Sequence, residues 1–172
     1  MPVRRGRYFY WDSSIFTAYI GQEPGRVETI EVLWGQISSN GDNRIVTSMI
    51  AVAEVGFTVQ EKARKILDQG VEQRIDDMWL DPSILLVETN LPIMKEARQL
   101  MRGLLSDRST REWALRPYDA VHMATALWIH QNSHPIDVIC TYDAKWYKFA
   151  TILNIPIEAP RLIAPTQGLL PI

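Results

Sequence analysis

Short apolar runs alternate with longer amphipathic segments along the chain, and this alternation predicts strands that alternate with helices. Four runs have the length and composition of strands, and a fifth short candidate lies at 155–160. The four runs are Tyr8–Trp11, Arg44–Thr47, Ile84–Glu88 and Ile136–Thr141. The run Ile84–Glu88 is continuous rather than alternating, which predicts a strand buried on both faces of its sheet.

Helical periodicity fills the intervals between these runs. Apolar residues spaced three and four apart predict helices at 15–20, 27–37, 71–79 and 93–105, and Pro117 suits the first position of another. Ser48 can cap a helix that carries Glu54. We expect that helix to continue, bent near Gly56, as far as Gly70. The segment 143–153 predicts a final helix.

Strands that alternate with helices are typical of an α/β architecture with a mainly parallel sheet. A chain of 172 residues suggests one domain with a sizeable core. We place that core at about 8–157, after a basic leader at 1–7 and before an irregular, Pro-rich tail at 158–172. Ligands of such sheets bind outside the carboxyl ends of the strands, so candidate chemistry is sought there.

The composition of the chain excludes several classes of protein. Cys140 is the only cysteine, which excludes an internal disulfide and a zinc site built from cysteines. Apolar runs are too short for a membrane span or a secretory signal, so we expect a cytoplasmic protein that does not enter a membrane. The net charge of −2 is not that of a general nucleic-acid binder. There is also no Gly-rich phosphate loop of a nucleotide-binding enzyme.

Four carboxylates stand near the predicted carboxyl ends of strands. Asp12 directly follows the first strand, and Asp143 follows the apolar part of the fourth. Glu54 lies on the helix after the second strand, and Asp119 lies in the first turn after Pro117. Carboxyl ends of parallel strands meet at one edge, so these acids can converge there.

Each acid also has an ordinary structural interpretation. Asp12, Asp119 and Asp143 could stabilise helix N-termini. Glu54 is the only charged residue of the segment 49–59, MIAVAEVGFTV. An isolated ionised carboxylate is costly in apolar surroundings, so Glu54 is exposed, paired or bound to a cation. The pattern alone leaves these alternatives open.

Four motifs follow one another in a recognisable order: YWDSSIF, TSMIAVAEV, LRPYDAVHMATAL and VICTYDAKW. In this order they resemble the PIN domain, a family of metal-dependent nucleases that includes ribonuclease toxins of toxin–antitoxin pairs. The resemblance spans roughly Tyr8 to Ile157. It implies a three-layer α/β/α fold with a mainly parallel central sheet of four to five strands. Trp146 stands where the last motif often has Phe.

The resemblance assigns roles to particular residues. It implies that Asp12, Glu54 and Asp119 form the main metal cluster and that Asp143 helps to hold a second ion or a bound water. A site of carboxylates without His or Cys suits Mg²⁺ or Mn²⁺. Candidates for supporting hydrogen bonds or substrate contacts are Ser13, Ser48, Thr141, Arg116 and Lys145.

The function implied is a metal-dependent endoribonuclease that hydrolyses RNA, serving as the toxin of a type II toxin–antitoxin pair. Its partners would be RNA, an antitoxin protein and a second copy of the chain. Without the four carboxylates of the site, the net charge of −2 becomes +2, so the overall charge does not argue against binding of RNA by the rest of the chain. His122 shares a helix with Asp119, but a packing role is the favoured interpretation.

Two alternatives come from other functional classes. One is a PIN-like module that binds RNA or protein without cutting. The other is a flavodoxin-like regulatory domain, which would need a lysine at the end of the last strand, where Lys145 is only loosely placed.

Overall fold

The computed structural model describes residues 6–163, and its sheet confirms the α/β prediction. Five parallel strands stand in the order β3-β2-β1-β4-β5 within this range. Their bounds are β1 Tyr8–Trp11, β2 Arg44–Ser48, β3 Ile84–Val87, β4 Ile136–Cys140 and β5 Ile157–Glu158. This order differs from the 2-1-3-4-5 order of flavodoxin-like domains, which removes that alternative.

Helices cover both faces of the sheet. They are α1 Ser13–Ile20, α2 Val27–Ser38, α3 Ile50–Glu54, α4 Val59–Arg64, α5 Gln69–Trp79, α6 Leu91–Ser106, α7 Pro117–Asn132 and α8 Ala150–Leu153. Side chains of successive strand residues point to opposite faces. Accordingly, Phe9 and Trp11 pack with α1, α2 and α5, whereas Tyr10 packs with α6 and α7. The predicted three-layer arrangement is therefore confirmed.

The prediction of one helix from Ser48 to Gly70 is wrong. Helix α3 ends at Glu54, and α4 begins after Thr58. The Thr58 hydroxyl accepts a hydrogen bond from the Glu61 amide, and the Glu61 carboxylate accepts one from the Thr58 amide. This reciprocal capping box starts a new helix. Helix α5 begins at Gln69, with Asp68 accepting from the first-turn amides, so Gly70 lies inside a helix rather than ending one.

Two further predictions need correction. Strand β3 is not buried on both faces, because it lies at the edge of the sheet and Leu85 is 44% exposed. The segment 143–153 forms a 3₁₀ helix, Ala144–Phe149, before the short α8. Residues 1–5 of the predicted leader and 164–172 of the predicted tail lie outside the described residues.

The strand order brings the carboxyl ends of β1 and β4 side by side at the centre of the sheet. Trp11 pairs with Cys140, and the Asp12 amide donates to the Cys140 carbonyl at 3.2 Å. Asp12 and Thr141 therefore leave the sheet at the same edge. Within residues 6–163, no helix is both long and apolar enough to cross a membrane.

Candidate active site

Asp12 occupies the turn between β1 and α1 and is only 4% exposed. Its Oδ1 accepts hydrogen bonds from the Ser14 amide at 3.2 Å and the Ser14 hydroxyl at 2.5 Å. Its Oδ2 accepts one from the Thr141 hydroxyl at 2.9 Å. Asp12 is thus the N-cap of α1, as its ordinary interpretation requires, and is also tied to the end of β4.

Burial dominates the electrostatics of Asp12. It raises the pKa of this carboxyl from about 3.8 to about 6, although the hydrogen bonds from Ser14 and Thr141 and the charge of His122 act in the opposite direction. The ionised form is therefore destabilised in its surroundings. A cation bound nearby would relieve that cost.

Glu54 ends α3, and its Oε2 lies 2.7 Å from Nε2 of His122 on α7. Burial raises the pKa of Glu54. The hydrogen bond and charge of His122 outweigh burial, with help from the Ser13 hydroxyl and the charge of Arg116, so that the pKa lies below its ordinary value. Of the three states left open for Glu54, the structure shows it paired. His122 is buried as expected, but it also contacts a site acid.

Asp119 and Asp143 are linked by Arg116. The Arg116 guanidinium donates to both carboxylate oxygens of Asp119, with Nε–Oδ2 at 2.7 Å and Nη2–Oδ1 at 3.1 Å. Its Nη2 also lies 4.0 Å from Oδ2 of Asp143. The charges of Asp119, Asp143 and Glu54 all act to raise the pKa of Arg116, so the guanidinium stands among these acids.

The remaining predicted residues surround this edge. Thr141 is buried, and its hydroxyl accepts from the Asp143 amide at 2.9 Å while donating to Asp12. Ser48 is buried at the end of β2, with its hydroxyl 3.5 Å from the Ile50 amide. Lys145 is exposed, and its amide donates to Asp143 at 3.0 Å, which caps the 3₁₀ helix.

Sequence reasoning missed three contacts: that of Ser14 with Asp12, and those of His122 with Glu54 and with Tyr10. Ser14, rather than Ser13, supplies the hydroxyl that bonds to Asp12. The Tyr10 hydroxyl lies 2.8 Å from Nδ1 of His122, which continues the contact from Glu54 into the core. The spacing of Asp119 and His122 was the available signal, because residues three apart on a helix share a face.

The four acids suit a hard divalent cation by residue type and by location at one edge. In the part of the chain that the structure describes, however, no three carboxylate, histidine or cysteine side chains converge closely enough to hold an ion. Arg116 and His122 hold three of the acids instead. The Arg116 side chain is 74% exposed, so its ion pair is the kind that contributes about 0–1 kcal/mol and is readily exchanged.

The fold and this acidic edge define an α/β protein with a candidate catalytic centre at the carboxyl ends of parallel strands. The family model of the PIN domain matches residues 9–152. The chain therefore belongs to the PIN domain family.

Three solved structures share the fold. VapBC2 from Rickettsia felis, bound to a DNA fragment from its promoter, has a TM-score of 0.58 at 17% identity, covering 88% of this chain and 98% of that chain. VapC20 from Mycobacterium tuberculosis, a toxin that cleaves the sarcin-ricin loop, has a TM-score of 0.54 at 14% identity, covering 79% and 90%. FitAcB from Neisseria gonorrhoeae has a TM-score of 0.54 at 15% identity, covering 88% and 97%. Among curated proteins, no significant match to this chain exists.

Proposed function

We propose that this protein is a metal-dependent endoribonuclease. The observation that supports the proposal is that the four acids, which come from distant parts of the sequence, surround two side chains. His122 acts on the pKa of Asp12 and of Glu54, and the charges of Asp119, Asp143 and Glu54 act on the pKa of Arg116. Membership of the PIN family and a fold shared with a toxin that cleaves the sarcin-ricin loop support the same chemistry.

We assign Asp12, Glu54 and Asp119 as the main ligands of Mg²⁺ or Mn²⁺, with Asp143 holding a second ion or a water. Such a cation supplies a polarised water and stabilises negative charge at the scissile phosphate. Asp12 suits this role because burial already disfavours its charge without a cation. Asp119 would become free to hold a cation if the exposed Arg116 exchanged its partner.

The other residues of the site orient these groups and the substrate. Ser14 and Thr141 fix the Asp12 carboxylate through its two oxygens. Arg116 and Lys145 are exposed cations beside the acids, and side chains of this kind position phosphates without reading the base sequence. Ser13 acts on Glu54 by a hydrogen bond that lowers its pKa, and we assign it a supporting role. Ser48 remains a predicted supporting residue, since its hydroxyl contacts the Ile50 amide.

The nuclease proposal is tested with Asp12→Asn and Asp119→Asn in an RNA cleavage assay with Mg²⁺ or Mn²⁺. Both substitutions keep the shape of the side chain and remove its charge, so we expect cleavage to be abolished while circular dichroism and thermal unfolding show an intact fold. Asp76→Asn, an exposed position on α5, is the matched control and should cleave like the wild type. Full activity in either site variant would refute the assignment.

We further propose that the chain acts as the toxin of a toxin–antitoxin pair, with an antitoxin protein as its partner and a second copy of itself as a further one. The support is the shared fold with a VapBC complex and with FitAcB. Expression of the chain alone should arrest growth, and expression of Asp12→Asn should not. Unimpaired growth with the active wild-type enzyme would contradict the toxin role but not the nuclease chemistry.

One observation favours a second candidate, a PIN-like module that binds RNA or protein without cutting it. Arg116 and His122 pair with three of the acids, Asp119, Asp143 and Glu54. Calorimetric titration with Mn²⁺ separates the candidates, because the nuclease requires a saturable site that Asp12→Asn abolishes and the binding module does not.

A further inference from the structure

A buried chain of hydrogen-bonding groups runs from the sheet to Glu54. The Tyr10 hydroxyl lies 2.8 Å from Nδ1 of His122, and Nε2 of His122 lies 2.7 Å from Oε2 of Glu54. Tyr10 is fully buried on β1, and His122 is 1% exposed on α7. These two hydrogen bonds therefore join three separate elements: β1, α7 and α3.

The chemistry of Glu54 fixes the direction of its hydrogen bond with His122. An ionised carboxylate only accepts hydrogen bonds, so the hydrogen of His122 stands on Nε2 and is donated to Glu54. Nδ1 of His122 lies within hydrogen-bond distance of the Tyr10 hydroxyl, which donates to a neutral imidazole and accepts from a protonated one. Each group has the partner that its buried position requires.

Glu54 depends on such support because its own helix is short. It is the last of five residues in α3, and the backbone leaves helical geometry at Val55. A helix of this length has little stability of its own. Helix α7, by contrast, has sixteen residues and is buried over most of its inner face. It carries Asp119 one turn before His122, so one face of α7 presents both a site acid and the group that holds another.

We propose that His122, held by Tyr10, is a positioning residue that fixes the Glu54 carboxylate at the metal site. This inference rests on the proposed function, since it concerns the orientation of one of the assigned ligands. Nε2 of His122 is occupied by Glu54, so His122 acts through Glu54 rather than as a ligand. Removing the partner of a ligating side chain typically weakens metal binding by about 10–100-fold.

Two substitutions at His122 test the individual ring nitrogens. His122→Gln can place an amide N–H near the position of Nε2 and restore the donor to Glu54. His122→Asn places polar atoms near the position of Nδ1, and its side chain ends short of Glu54. We expect Mn²⁺ affinity, measured by calorimetry or electron paramagnetic resonance on the full chain, to stay within about threefold for His122→Gln and to fall about 10–100-fold for His122→Asn.

Tyr10→Phe provides an independent variant in which His122 remains. It removes only the hydroxyl behind the imidazole, so we expect a smaller loss of Mn²⁺ affinity, about 3–10-fold. His134→Gln is the matched control, because His134 is exposed beyond the C-terminal end of α7, and its affinity should equal that of the wild type. Thermal unfolding with a chelator present verifies that each variant folds.

The outcomes separate this inference from the proposed function. If the wild type binds no more Mn²⁺ than Asp12→Asn, the proposed function fails and this inference with it. If the wild type binds and Asp12→Asn does not, the function stands. In that case, equal affinities of His122→Gln and His122→Asn would overturn the positioning role. Should His122→Asn not fold, an unchanged affinity in Tyr10→Phe would overturn it.

Discussion

Replacing Asp12 by Asn should stabilise the metal-free protein, although it removes the residue we place at the centre of the site. The substitution keeps the size of the side chain and removes a charge that is almost completely buried. The amide oxygen can still accept from Ser14. The amide nitrogen can donate to the Thr141 hydroxyl, which has acceptor capacity of its own. The fold therefore loses an unfavourable charge and keeps most of its hydrogen bonds.

The size of the effect follows from the pKa of Asp12. Burial raises this pKa from about 3.8 to about 6. At about 1.4 kcal/mol per pKa unit, the ionised form costs the folded state about 3 kcal/mol. The hydrogen bonds that stabilise the ionised carboxylate are already included in this pKa. In the Asn variant, however, the amide nitrogen faces the Thr141 hydroxyl that donated to Asp12, and reversing that bond costs about 1 kcal/mol. We expect a net stabilisation of about 1–3 kcal/mol above neutral pH.

The pH dependence has a definite sign. Between pH 3.8 and about 6, the folded state binds more protons at Asp12 than the unfolded state does. The free energy of unfolding contributed by Asp12 therefore decreases as pH rises through this window. The penalty is absent below the unfolded pKa and complete above the folded pKa. Because Asn does not titrate, the advantage of Asp12→Asn should grow through the same window and then level off.

Urea unfolding with a chelator present measures this effect at about pH 7.5 and about pH 4.5. Asp76→Asn, an exposed substitution, should change stability by no more than about 0.5 kcal/mol at either pH. A destabilised Asp12→Asn protein at the higher pH would show that the hydrogen bonds outweigh burial. An advantage of equal size at both pH values would show that the charge of Asp12 is not its cause.

Two other predictions concern the surroundings of the site. Arg116→Gln should raise Mn²⁺ affinity about 1.4- to fivefold, because an exposed ion pair contributes about 0.2–1 kcal/mol, and it should raise the KM for RNA. An affinity equal to that of the exposed control Arg111→Gln would show that Arg116 does not compete with the metal. Thr58→Ala should lower the free energy of unfolding by about 1 kcal/mol in urea titrations, because it removes the N-cap of α4. The exposed substitution Thr89→Ala is the control and should leave this free energy unchanged, so equal stabilities of the two variants would contradict the capping role.

Much of the sheet could be predicted because its central strands are short, apolar and bounded by polar turns. The edge position of β3 could not, because it depends on the strand order rather than on the residues Ile84–Val87. The break after Glu54 had a local signal in Thr58 and Glu61, which have the spacing of a capping box. No local signal predicts the left-handed conformation of Lys65 that ends α4, since lysine rarely adopts it.

Only part of the candidate site could be predicted from the sequence. Asp12 and Asp143 follow strands whose carboxyl ends meet in any parallel sheet, so their approach follows from topology. The contact of His122 with Glu54 spans 68 residues and depends on how α7 packs across the sheet. Arg116 directly precedes α7, and its choice of Asp119 as a partner depends on a side-chain conformation that no sequence pattern specifies.

Anomalous diffraction from crystals soaked in Mn²⁺ tests whether these acids bind a hard cation. We expect an anomalous peak bordered by Asp12, Glu54 and Asp119, with Arg116 turned away from Asp119. Full Mn²⁺ soaking with no peak at this edge, and with Arg116 still paired to Asp119, would contradict binding of a cation by these acids.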